Sequence, residues 1–345
     1  MRQTRRINLA LQGGGAHGAF TWGVLDRLLE EEWLEVAAMS GTSAGALNGA
    51  AYKAGYAVNG RDGARQTLRE LWERVGRGAM DGVPGAEALD WVRPFFFPFD
   101  YAARLAEVYL PVTPADVAAQ MFSPYDWGPF WRNPLEPAVL ALNMDQVCAE
   151  TGPQLYVAAT NVRSGKVRVF GGEAVTHEAI LASACLPTFF KAVEIEGEAY
   201  WDGGYSANPA LFPLYTRDLP DDIVIVSLNP LNRPAIPETT QEIMNRINEI
   251  SFNAALLRDL RAIAFVKRLI AEGMIEKGAM KDVLVHFIAD DRLMRSLSVR
   301  TKVAPTPHFL ETLFKAGRRA AGRFLRAHAD DLNERSTVDL AAMFN

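Results

Sequence analysis

Apolar and polar positions follow two different periods along the chain. Short, mostly apolar runs at residues 7–11, 34–39 and 223–228 read as buried strands. Residues 155–160 and 166–170 flank the turn Asn161-Val162-Arg163-Ser164-Gly165 and predict a hairpin. A second hairpin is predicted from residues 192–195 and 198–201, turning at Glu196-Gly197, and residues 283–289 read as one more buried strand. Helical spacing appears at 19–33, where Trp22, Leu25, Leu28 and Leu29 recur near one face, and again at 44–54, 61–77, 178–184 and 239–270.

The last predicted helix, residues 308–328, is sharply amphipathic. At about 100° per residue, Lys315, Arg318, Arg319, Arg323 and Arg326 fall within roughly 140°, opposite Leu310, Leu313, Gly317, Ala321, Phe324 and His328. The basic face reads either as the solvated side of a packed helix or as a docking face for anionic headgroups. Two stretches have neither period: Trp91 to Tyr101 and Met121 to Trp131, both dense in aromatic residues and proline. They predict an irregular, self-packed insertion at about 91–131, with an acyl-chain pocket or a lid that meets a lipid surface as a second reading compatible with it. Pro220, Pro230, Pro234 and Pro237 mark a boundary, after which the pattern is mainly helical.

The length of 345 residues allows a substantial core, and 49% hydrophobic with 22% charged residues is ordinary globular composition. A net charge of −5 gives no global attraction to nucleic acid, which is not expected as a partner, or to anionic membranes. Arg2, Arg5 and Arg6 precede an apolar run as in a signal peptide. Gln12, a glycine cluster and His17 interrupt that run, and strand–loop–helix explains it better. No uncharged apolar stretch reaches about 18 residues, so a soluble, cytoplasmic protein is expected, with a peripheral position at a membrane as the alternative. Cys148 and Cys185 read as buried thiols. Histidines, cysteines and acids do not cluster at metal spacing, so neither metal nor cofactor is expected.

Candidate chemistry lies where predicted strands run into helices. Gly41-Thr42-Ser43-Ala44-Gly45 joins the strand 34–39 to the helix 44–54, as in a nucleophile elbow that lifts the Ser43 hydroxyl to a helix N-terminus. Such a pattern arises by chance roughly once in ten chains of this length, and an N-cap serine is the plainer alternative. Gly13-Gly14-Gly15-Ala16-His17-Gly18 follows the first strand. As a dinucleotide fingerprint it lacks the acid that should end the second strand. As an oxyanion loop it would present the amides of Gly13, Gly14 and Gly15, each worth about 3–4 kcal/mol in kcat. Trp201-Asp202-Gly203-Gly204 puts an acid directly after a strand, though a simple turn reads the same. A Ser-His-acid triad would draw on His17, His177, His286, His308 or His328, but the elbow comes too early for the ordinary α/β-hydrolase order. The alternative is a two-residue site in which Asp202 takes the Ser43 proton directly.

With these motifs in this order, the chain resembles the bacterial patatin-like phospholipases. Gly13 to Gly18 is similar to the family's glycine-rich loop, Gly41 to Gly45 to its elbow, and Asp202-Gly203-Gly204 to its catalytic-acid motif. The block Ala182 to Phe190 is similar to the segment before that acid. The resemblance covers about residues 7–216 and implies a three-layer α/β/α sandwich with a mostly parallel sheet. It leaves 231–345 as a mainly helical C-terminal region packed on the core. It implies a lipid acyl hydrolase with Ser43 as nucleophile, Asp202 as base and Gly13, Gly14 and Gly15 as oxyanion donors. Gly18, Gly41, Gly45, Gly203 and Gly204 would support them. One departure is His17, where the family usually carries Arg or Lys. Acyl transfer, hydrolysis of polyester oligomers, and a catalytically silent lipid-surface binder remain as rival readings.

Overall fold

The computed structural model describes residues 3–81, 123–126, 133–276 and 278–344. The aromatic stretches of the expected insertion lie outside the described residues, apart from 123–126.

One mixed, mostly parallel sheet runs through the molecule. Its strands are β1 (Arg5–Leu11), β2 (Leu34–Thr42), β3 (Gln154–Asn161), β4 (Val167–Gly171), β5 (Val193–Ile195), β6 (Glu198–Asp202), β7 (Asp222–Val226) and β8 (Leu284–Ile288). The order is β5-β6-β3-β2-β1-β7-β8, with β4 also paired to β3. The run β3-β2-β1-β7-β8 is parallel, and the two predicted hairpins are the antiparallel part. Helices cover both faces, as a parallel sheet requires. They are α1 (Gly18–Leu28), α2 (Ala44–Asp81), α3 (His177–Ser183), α4 (Thr240–Ala271) and α5 (Pro307–His328). Successive strand residues alternate between layers. Leu9, Leu11, Val224 and Val226 pack with Phe20, Leu25, Leu68 and Leu313 on one side. Ala10, Ile223, Ile225 and Val285 pack with Leu256, Leu260 and Ile263 of α4 on the other. The result is a three-layer α/β/α sandwich.

Some boundaries differ from the expected ones for local reasons. Helix α1 stops at Leu28 because turns from Glu31 to Leu28 and from Leu34 to Glu31 reverse the chain into β2. Strand β2 continues past Met39 because Ser40 and Thr42 bury their hydroxyls by donating to the carbonyls of Ala210 and Ala207, at 2.6 and 2.8 Å. The helices expected at 44–54 and 61–77 form one stretch, broken at Asn59 and Gly60. Beyond the prolines the chain is mainly helical, and it returns one strand, β8, to the sheet beside β7. The basic helix α5 packs on α1. Arg318 bonds Asp26 and Glu30, Arg323 bonds Asp290 and Lys315 pairs with Glu311. Both cysteines are free thiols, Cys185 buried as expected and Cys148 only partly buried. Among the described residues no helix is long and apolar enough to cross a membrane.

Candidate active site

The ends of β1, β2 and β7 point the same way, and β1 has later strands on either side of it. Open α/β sheets place their sites at the carboxyl ends of strands beside such a reversal of strand order. Ser43 stands at the end of β2 with φ of 55°, in the left-handed region. A non-glycine residue there is strained by roughly 1–3 kcal/mol, and such strain clusters at functional positions. The surroundings enforce it. A Cβ at Gly45 would lie 2.1 Å from the Leu11 carbonyl oxygen, and one at Gly41 2.6 Å from the Gly45 carbonyl. The strand end, the corner and the first turn of α2 are thus pressed into contact that only glycine permits. The Ser43 amide donates to Ser183 Oγ at 2.8 Å, and Ser183 Oγ donates to the Ala158 carbonyl at 2.6 Å.

Asp202 reaches Ser43 through strand register. β3 pairs with β2 up to Thr42 opposite Ala158, and with β6 from Asp202 opposite Ala159. Residues 156–158 pair with β2 and β4 together, and 159–160 with β4 and β6 together. β2 and β6 therefore share one edge of β3, run toward each other, and meet end to end. Gly203 seals the junction, since a Cβ there would lie 2.2 Å from the Ala158 carbonyl and 3.0 Å from Thr42 Cγ2. Asp202 is fully buried. Its amide donates to the Cys185 carbonyl at 2.8 Å, and its Oδ1 accepts from the Gly204 amide at 2.7 Å. Its Oδ2 has no regular hydrogen bond among the described residues. Burial pushes the carboxyl up to about 6, while the neighbouring Ser43 hydroxyl, the Gly204 amide and the Lys302 charge limit the rise.

The glycine loop lies against Ser43, since a Cβ at Gly13 would come within 2.7 Å of Ser43 Cβ. Its three amides are not equivalent. The Gly13 amide donates to Asn208 Oδ1 at 2.6 Å, so the expectation that it faces a reacting oxygen is corrected. The amides of Gly14 and Gly15 have no partner among the described residues. His17 turns away from Ser43. Its Nε2 bonds Thr301 Oγ1 at 2.7 Å, and because that hydroxyl donates to the Ser298 carbonyl, Nε2 is assigned the proton. Burial, aided by the Lys302 charge, drives its pKa down to about 3, so the ring is neutral. Of the other histidines, His177 bonds the Leu142 carbonyl, His286 bonds Asp222 and His328 bonds Asp331.

The motifs give no hint of Asn208, Asn229 or Lys302. Lys302 lies in the turn Val299–Val303, whose backbone presses on the loop: a Cβ at Gly15, where φ is +57°, would lie 2.2 Å from the Lys302 carbonyl oxygen. The signal that could have found it is a lone lysine in the short link before α5, which is weak. A cavity of about 470 Å³ opens beside Ser43. Its walls include Gly15, Leu47, Trp72, Leu135, Leu186 and Phe190. An apolar cleft with a few converging polar groups suits a ligand that is mostly hydrocarbon.

Among curated proteins no match is found. Among solved structures the chain is similar to VipD from Legionella pneumophila, with 15% identity over 93% of this chain and 67% of that one and a TM-score of 0.39. It is also similar to a chain of the heterodimeric ExoU–SpcU complex of Pseudomonas aeruginosa, with 16% identity over 99% and 74% and a TM-score of 0.32. The family model described as patatin-like phospholipase matches residues 9–215, which hold the loop, the elbow and the acid, and the chain belongs to that family.

Proposed function

We propose that this chain is a serine lipid acyl hydrolase working through Ser43 and Asp202. Asp202 takes the Ser43 proton as the hydroxyl oxygen attacks an ester carbonyl. The amides of Gly14 and Gly15 receive the oxyanion, and its collapse expels the alcohol, which takes up the proton from Asp202. Water then attacks the acyl-enzyme with the same base and releases a fatty acid. Residues 9–215 carry the chemistry, and the region from 231 onward packs on it. The observation that carries this reading is Ser43 held at φ of 55° at the mouth of an apolar cavity with a fully buried carboxyl beside it. Membership in the patatin-like phospholipase family supports a lipid substrate.

The test is intact mass after exposure to a fluorophosphonate, for wild type, Ser43→Ala and Asp202→Asn, followed by product analysis on phosphatidylcholine vesicles with and without glycerol. Labelling of the wild type alone, with free fatty acid as product, is expected. Labelling that persists in Ser43→Ala would sink the assignment of the nucleophile. Acylglycerol in place of fatty acid would make the enzyme a transferase.

A further inference from the structure

The region beyond residue 231 places one cation behind the site, and nothing in the motifs accounts for it. The Lys302 ammonium donates to Asn229 Oδ1 at 2.9 Å and to Asn248 Oδ1 at 2.8 Å, and stands 5.2 Å from the centre of the Phe252 ring. Two of these partners lead back to the site. Asn229 Nδ2 donates to the Gly13 carbonyl at 3.2 Å, on the loop whose free amides are Gly14 and Gly15. Phe252 packs on Gly204, the amide that holds Asp202 Oδ1, since a Cβ at Gly204 would lie 2.4 Å from that ring. Lys302 itself lines the cavity with Ser43 and Gly15.

We propose that Lys302 is the site's fixed cation, a positioning residue whose charge keeps Asp202 a carboxylate and whose hydrogen bonds brace the glycine loop. This rests on the reading of Ser43 and Asp202 given above. The charged groups around it are few. α4 presents Glu249, which is already paired with Arg233 and Arg246. The end of β6 presents Asp202, and the loop presents His17, which is neutral. Of the acids, Asp202 has no ion pair among the described residues, so the charge of Lys302 falls on it without a competing cation. The coupling runs both ways: Lys302 lowers the Asp202 pKa, and Glu249 first and Asp202 second raise that of Lys302, which burial has brought down to about 8. In acylation the Ser43 proton passes to Asp202 and the hydroxyl electron pair to the carbonyl carbon. Negative charge thus moves from the carboxylate to the oxygen facing Gly14 and Gly15. Lys302 gives up no proton. Its charge favours the state in which Asp202 is ready to accept one.

The experiment is the pH dependence of kcat/KM for p-nitrophenyl butyrate, a neutral ester, in wild type, Lys302→Met and Lys302→Arg. The rate constant for fluorophosphonate labelling is read over the same range. Wild type and Lys302→Arg should share an acid-limb midpoint near 6. In Lys302→Met the midpoint should rise, so that kcat/KM falls more at about pH 6 than at about pH 7.5. Loss of bracing alone would lower the whole profile without moving its midpoint. An unmoved midpoint in Lys302→Met, with wild type still labelled, overturns this inference and leaves the hydrolase reading intact. Absence of labelling in wild type overturns that reading first. If Lys302→Met does not fold, Lys302→Gln, neutral but still a donor to asparagine, replaces it under the same criterion.

Discussion

At the scale of single residues, the site works against the stability of its own fold. Asp202 is fully buried, and its pKa in the folded chain is raised from 3.8 to about 6. A raised carboxyl binds its proton more tightly when folded. Its contribution to stability is therefore complete below about pH 4 and is lost as pH rises through 6. Where Asp202 is ionised, the fold carries a cost of up to about 3 kcal/mol. Asp202→Asn keeps an oxygen for the Gly204 amide and removes the charge. Denaturant unfolding should find it inactive yet more stable than wild type at pH 8, with the difference shrinking toward pH 4. A variant less stable than wild type at pH 8 would count against a desolvated carboxylate. The motifs around Ser43 and Asp202 show in the sequence because their glycines lie within two residues, although the groups that demand most of those glycines are distant: the Leu11 carbonyl for Gly45, the Ala158 carbonyl for Gly203 and the Phe252 ring for Gly204. Asn208, Asn229 and Lys302 do not show there. They meet the loop from about 195 to 290 residues away, and no spacing rule connects side chains so distant in sequence.

At the scale of elements, the crossing of α1 and α5 carries the glycine loop and the Lys302 turn together. α1 follows the loop directly, and α5 follows the turn Val299–Val303 within a few residues. The two helices touch backbone to backbone. A Cβ at Gly317 would lie 2.0 Å from the Phe20 carbonyl oxygen, and one at Gly23 2.0 Å from that of Phe314. Around this contact Asp26, nearly buried, is held by Arg65 at 2.9 Å and by Arg318. Gly317→Ala puts a methyl against backbone that cannot rotate aside, so α5 must lift. A loss of about 2–4 kcal/mol is expected. Gly322→Ala is the control, because its Cβ would meet only the end of the Arg326 side chain at 3.5 Å. There the helix gains propensity, and the change should be neutral or stabilising by up to about 1 kcal/mol. Thermal melts of the two variants check the pair, and equal losses would refute a backbone contact specific to Gly317. The apolar and basic faces of α5 were readable from period alone. That Gly317 is a contact point needed the partner helix, because a helical glycine on an apolar face reads like any small core residue.

At the scale of the whole molecule, the sheet has a working end and a closed end. Ser43, Asp202 and the glycine loop occupy the carboxyl ends of the strands. At the opposite ends, where β1 and β7 begin, the segment after α5 folds back over the sheet. Asn333 is its clasp. Its amide and Nδ2 each donate to the Asp222 carboxylate at 2.8 Å, Nδ2 also donates to the Arg6 carbonyl at 2.8 Å, and Oδ1 accepts from the Arg6 amide at 3.1 Å. Asp222, 1% exposed, also accepts from His286 Nε2 at 2.9 Å, so one buried carboxylate joins β7, β8 and the tail. Asn333 sits at φ of 60°, which asparagine tolerates better than most residues. Asn333→Ala loses the side-chain bonds, leaves the Asp222 carboxylate short of a donor and keeps an unfavourable backbone. A stability loss of about 2–4 kcal/mol is expected. The clasp is at the far end of rigid strands from Ser43, so kcat and the acid-limb midpoint near 6 should not move at temperatures where the variant is folded. Lys302→Met should do the reverse, shifting the midpoint whatever its effect on stability. Both residues belong to the chain beyond residue 231, so the two variants separate that region's two tasks, closing the sheet at one end and setting the charge of the site at the other. A midpoint that moved with Asn333→Ala would mean that the field at Asp202 depends on the packing of the whole region rather than on one ammonium.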